Sequence, residues 1–177
     1  MNPNFIEEMI ENYAFHSKKT NEYQFIEFIH ENRLWHLFLS NYECEQPITD
    51  RFKEQFHLFW IERGEFIRNQ IKDDQLLVDM LRKTLPAYTG KELQLYRGEN
   101  LQRFKDQRIG LCWTEDLETA QMFSTRNACK DGGIILSATF NEQSIIAGIH
   151  SHSIYLEENE YTVDSFKLNN LQILKMD

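Results

Sequence analysis

The sequence predicts an α+β protein, with a helical region over residues 1–88 leading and a β-sandwich-like half over residues 89–177 following, the two folding as one compact unit. Three observations carry this reading. Apolar residues in the first half recur at helical spacing. After Thr89-Gly90 the spacing changes to the alternation of strands. Only one stretch of the second half, residues 116–123, reads as a convincing helix. With helices preceding strands and no Gly-x-Gly-x-x-Gly present, the order argues against a parallel dinucleotide-binding sheet.

The elements follow in order. Phe5, Met9, Ile10 and Tyr13 lie on one helical face after an Asn/Pro start. From Tyr23 to Leu39, a wide apolar stripe gathers Phe25, Ile26, Phe28, Ile29, Leu34, Leu37 and Phe38. The segment Ser40 to Pro47 reads as a loop. Thr49 or Asp50 is placed to cap a long helix whose face is Phe52, Phe56, Phe59, Phe66, Ile67 and Ile71. Asp73-Asp74 caps a shorter helix through Leu76, Leu77, Met80 and Leu81, stopped by Leu85-Pro86. Strands are then expected at Leu93–Tyr96, Ile134–Phe140, Ser144–Ala147, Tyr161–Val163 and within Phe166–Met176.

With 28 acidic and 19 basic residues the net charge is −9, so whole-molecule attraction to a polyanion is not expected; a local basic patch remains open. The 13 Phe, 7 Tyr and 3 Trp favour a packed core over disorder. Cys44, Cys112 and Cys129 are scattered and odd in number, which favours reduced thiols in a cytoplasmic protein. The N-terminus lacks the pattern of a signal peptide, and no apolar segment approaches a membrane span. His150 and His152 lack further ligands at metal spacing, so no metal is expected.

Three segments of the second half carry the chemistry. They are Leu95-Tyr96-Arg97-Gly98-Glu99, then Gly110-Leu111-Cys112-Trp113-Thr114 running into Asp116–Phe123, then Leu156-Glu157-Glu158-Asn159-Glu160-Tyr161-Thr162-Val163. In this order they resemble the Arg–Ser–Glu class of ADP-ribosyltransferases. That class carries a Tyr-Arg-Gly, a Ser-x-Ser/Thr-type strand leading into an x-x-x-Ala-x-x-Phe helix, and a Glu-x-Glu opening a later strand. The resemblance covers roughly residues 93–165.

The resemblance implies a split β-sandwich with NAD, the co-substrate, in a cleft between two small sheets. Within it Arg97 would hold NAD phosphate or ribose oxygens with its planar fork, and Gly98 would leave room for the ligand. Cys112, Trp113 and Thr114 would line the cofactor site. Cys112 stands where the class has serine, and a thiol is the weaker hydrogen-bond partner. Glu160 would be the catalytic carboxylate, stabilising the oxocarbenium character that builds on the ribose as nicotinamide leaves. Glu158 would act as base on the acceptor, and a Glu there implies an arginine acceptor. Ser124-Thr125-Arg126 would start a loop over the nicotinamide. Tyr155, three residues before Glu158, is a candidate either to pack against the acceptor or to serve as a core tyrosine.

The expected function is mono-ADP-ribosylation of a macromolecular acceptor by a cytoplasmic toxin or effector of phage or bacterial type. Protein arginine is the first choice of acceptor, and RNA or DNA, as in a toxin–antitoxin or phage-defence system, is the second. An antitoxin is a possible partner, and a membrane is not expected to be one. The rival readings are a NAD glycohydrolase and a catalytically inactive binding module, for which the cysteine at 112 is the main support.

Overall fold

In the computed structural model, the structure describes residues 22–42, 48–126, 128 and 132–174. The first expected helix, around Phe5 to Tyr13, lies outside them, as do Cys44 and Cys129. The chain divides into two compact units between Pro86 and Ala87.

The first unit is helical among its described residues: α1 (Glu22–Glu31), α2 (Trp35–Tyr42), α3 (Asp50–Ile71) and α4 (Asp74–Thr84). The apolar stripe from Tyr23 to Leu39 is not one helix. It breaks at Asn32–Leu34, where Arg33 takes a left-handed φ of 57°. The break turns Trp35 and Phe38 into the core beside Phe25, Ile26 and Ile29, and leaves Leu37 exposed. Helix α2 also runs through Tyr42, into the segment expected as loop.

Thr49 caps α3 by accepting the N–H of Phe52, and Asp73 caps α4 by accepting that of Leu76. Each such cap contributes about 1 kcal/mol. Helix α4 ends at Thr84, because a residue before proline disfavours helical backbone. Phe52, Phe56, Phe59, Ile67 and Ile71 form the buried face of α3, with Trp60 added to it. Phe66, expected on that face, is exposed. It falls one position from Ile67, and the core fills from the Ile67 side.

The second unit carries β1 (Leu93–Asn100), α5 (Leu101–Lys105), β2 (Cys112–Thr114), α6 (Leu117–Arg126), β3 (Gly133–Phe140), β4 (Ile145–Ala147), α7 (Ser151–Tyr155), β5 (Glu160–Val163) and β6 (Asn169–Leu174). Its six strands form one antiparallel sheet in the order β4-β5-β2-β1-β3-β6. Leu93, Leu95, Trp113, Leu136, Ala138, Phe140, Ile145, Tyr161 and Val163 pack together as its core. The protein is therefore α+β, with helices preceding an antiparallel sheet.

Two features of this sheet position the site. Strands β1 and β2 share a single register position, Tyr96 opposite Thr114, whereas β1 pairs with β3 along its whole length. Helix α6 lies directly on β1 and β3: a Cβ on Gly98 would overlap the backbone of Ala120, Phe123 and Ser124, and one on Gly133 that of Ser124. Among the described residues, no helix is long and apolar enough to cross a membrane.

Candidate active site

Residues opposite one another in an antiparallel pair project from the same face. Glu160 of β5 lies opposite Thr114 of β2, and Thr114 lies opposite Tyr96 of β1. One row thus crosses three strands. Cys112, two residues before Thr114, shares that face, and its side chain hydrogen-bonds to Glu160. Cys112, Thr114 and Glu160 are brought together as the sequence suggested.

Trp113 and Gly98 are not placed as a cofactor lining would require. Trp113 alternates to the opposite face. It is 1% exposed, meets Phe140 edge-on at 5.0 Å between ring centroids, and donates from Nε1 to the Gly110 carbonyl at 3.0 Å. The space left by the missing side chain of Gly98 is filled by the backbone of α6, so that glycine serves helix–sheet packing instead of ligand approach. The alternation of β2 and the seat of α6 on β1 decide both, and neither is written in a short motif.

The start of β5 is set by α7. His150 caps that helix, its Nδ1 accepting the N–H of His152 at 3.0 Å, which gives this histidine pair a structural task. Beyond the helix, Glu157 and Asn159 both take left-handed backbone, with φ of 60° and 46°. Ser153, fully buried, ties the turn down. Its carbonyl accepts the N–H groups of Glu158 at 3.0 Å and Asn159 at 3.4 Å, and its hydroxyl accepts that of Glu160 at 2.8 Å. The strand begins at Glu160, so Glu158 sits in the turn and not on the strand. Glu157 faces solvent, and its carbonyl accepts from Thr119 Oγ1 of α6 at 3.4 Å.

The electrostatics single out Glu160. Burial, followed by the negative charge of Glu158, pushes its carboxyl from the ordinary 4.5 up to about 7. The charge of Arg97 and the hydrogen bond from Cys112 work the other way without cancelling this. Glu158 is also raised, by burial, while Arg126 and His152 oppose the shift. Arg126 Nη1 lies 4.0 Å from Glu158 Oε1. Ser124–Arg126 form the last turn of α6, not the beginning of a loop, and this delivers Arg126 to Glu158.

Arg97 stands where β1 and β2 part. Its Nη1 donates to the carbonyl of Cys112, and its Nε donates to Glu99 Oε2 at 2.8 Å. Burial disfavours its charge, but Glu99 more than restores it, with Cys112 and Glu160 adding to the effect. Arg97 and Glu160 are thus close enough for each to bias the other's protonation. Tyr155 is 81% exposed, flanked by exposed Ile154 and Leu156 at the C-terminal end of α7, just before the turn that carries Glu158. The sequence reading missed Ser153 and Glu99, and gave Arg126 to a loop when it lies at the end of α6 beside Glu158. The one signal for Glu99 was its spacing of two from Arg97, which puts both on one side of a strand.

Among the described residues, no group of three or more His, Cys, Asp or Glu is placed to hold a metal ion. No family model, curated protein or solved structure matches the chain.

Proposed function

We propose that the second unit is an ADP-ribosyltransferase of the Arg–Ser–Glu class, a split-sandwich fold, acting in the cytoplasm as a toxin or effector. NAD is its co-substrate, and a macromolecule, protein arginine in first place, is its acceptor. The observation that carries the reading is the setting of Glu160. It is a partly buried carboxylate at the first residue of a strand, with Glu158 beside it and the Arg97 charge within reach.

The chemistry follows from that setting. As the bond from ribose to nicotinamide lengthens, positive charge develops on the sugar, and a fixed carboxylate stabilises it most where water is scarce. Glu160 supplies that charge once ionised. The Arg97 guanidinium suits the diphosphate and ribose oxygens of NAD, which call for a planar donor array. Glu158, whose pKa is raised, serves as base for the incoming acceptor. A guanidinium already lies against it in the form of Arg126, which supports an arginine-like group at that position.

Incubation of the full chain with NAD labelled in the adenylate moiety and a whole-cell lysate tests the reading. Label on protein that neutral hydroxylamine releases is the expected result. Label that resists protease and follows RNA or DNA would replace the arginine acceptor, and no consumption of NAD would remove the transferase reading altogether.

A further inference from the structure

Glu99 is a carboxylate the proposed chemistry does not use, and it is 1% exposed. An unpaired buried carboxylate would be costly, so its partners define its purpose. Oε2 accepts Arg97 Nε at 2.8 Å and the Gly110 N–H at 2.8 Å. Oε1 accepts the Asn100 N–H at 2.9 Å and lies 3.6 Å from Arg103 Nε. Burial alone would raise its pKa, but the Arg97 charge and these hydrogen bonds hold it below the ordinary value. It therefore stays ionised.

Gly110 completes the arrangement from the other side. A Cβ there would overlap Nη2, Cζ and Nε of Arg97, so the guanidinium packs against the bare Cα. The same residue accepts from Trp113 Nε1 through its carbonyl, which anchors it to the core. The guanidinium is held by Glu99 at Nε, by the Cys112 carbonyl at Nη1 and by the surface of Gly110 at Nη2.

We propose that Glu99 and Gly110 are positioning residues for Arg97, fixing its guanidinium in one orientation at the parting of β1 and β2 so that it meets an anionic ligand there. The proposal rests on the reading of that ligand as NAD. Arg103 is part of the same device. Arg97 and Glu99 alone would present no net charge to a diphosphate, and Arg103 beside Glu99 leaves the cluster with a net positive charge.

The test uses the full chain and measures steady-state NAD hydrolysis for the wild type, Glu99→Gln and Gly110→Ala, each also in an Arg97→Lys background. In either single variant KM for NAD should rise about tenfold, the scale of one charged hydrogen bond, with kcat within about threefold of wild type. In the Arg97→Lys background the further rise should be under about twofold, because the group being positioned is already gone. A merely structural role would lower kcat or give the same loss in both backgrounds. Gly110→Ala keeps the Glu99 carboxylate and its bonds to backbone N–H groups and displaces the Arg97 guanidinium, Nε included, so it carries the test alone if Glu99→Gln does not fold. An unchanged KM in folded Gly110→Ala, or additive losses, would overturn the proposal. Failure of the wild type to turn over NAD would overturn the functional reading and this proposal together, whereas an active wild type with unaffected variants sinks this proposal alone.

Discussion

The hydroxyl of Ser153 accepts the backbone N–H of Glu160 at 2.8 Å, so the first residue of β5 is fixed by the short helix before it. Ser153→Ala leaves that N–H without its partner, at a cost of about 1–3 kcal/mol. We expect a lower Tm and a roughly tenfold fall in kcat for NAD hydrolysis with KM little changed. Wild-type kcat in a folded Ser153→Ala protein would separate the bond from the chemistry.

Glu160→Gln should keep the fold and lose at least about 10² in turnover, the scale of one transition-state electrostatic contact. Its stability carries a second signature. The folded pKa of about 7 exceeds the ordinary 4.5, so the folded state binds a proton more tightly than the unfolded chain. That contribution is fully present below pH 4.5 and is lost as pH rises through 7. Gln has no such dependence, so the Tm difference should move in favour of the variant between pH 5 and pH 8. A constant difference across that range would mean that Glu160 is not held protonated by its surroundings.

Glu158→Gln removes the second largest influence raising Glu160, the like charge beside it. The acid limb of the pH–rate profile for NAD hydrolysis should therefore shift to lower pH, since Glu160 ionises more readily. Transfer to arginine should fall at the same time if Glu158 is the base proposed for the acceptor. An unmoved acid limb would argue that the two carboxylates do not face one another.

Gly98→Ala is expected to act on the fold. The new methyl would meet the backbone of Ala120 and Ser124, and backbone cannot move aside as a side-chain tip does. A loss of about 1–3 kcal/mol or more should follow, read as a fall in Tm or in soluble yield. NAD affinity lowered in a variant of unchanged stability would return Gly98 to the binding site.

The parts of the fold that were legible in the sequence are those fixed by local chemistry. Thr49 and Asp73 cap the helices they precede, Leu85-Pro86 ends one, and the change of period after Gly90 marks the start of the sheet. The break at Arg33 was not legible, because no glycine or proline signals its left-handed backbone. The short motifs brought Glu160, Thr114 and Cys112 together, since pairing of β2 with β5 is a matter of two strands. The packing of Trp113 into the core and of Gly98 against α6 was not legible, because which face of a strand meets a core or a helix is a tertiary fact. Ser153 and Glu99 act through hydrogen bonds to backbone turns, and a backbone turn has no residue signature of its own.

The single register position shared by β1 and β2 has a thermodynamic corollary. It leaves β4-β5-β2 and β1-β3-β6 as two three-stranded halves, with Glu160 in one and Arg97 in the other. Few backbone hydrogen bonds cross the seam, so the halves should open as separate cooperative units, and native-state amide exchange should give Leu136 and Ala138 protection free energies different from those of Thr162 and Val163. The spacing of the Glu160 and Arg97 charges is then a property of how two small folding units meet, tunable by changes at Tyr96 and Thr114 without altering either charged residue.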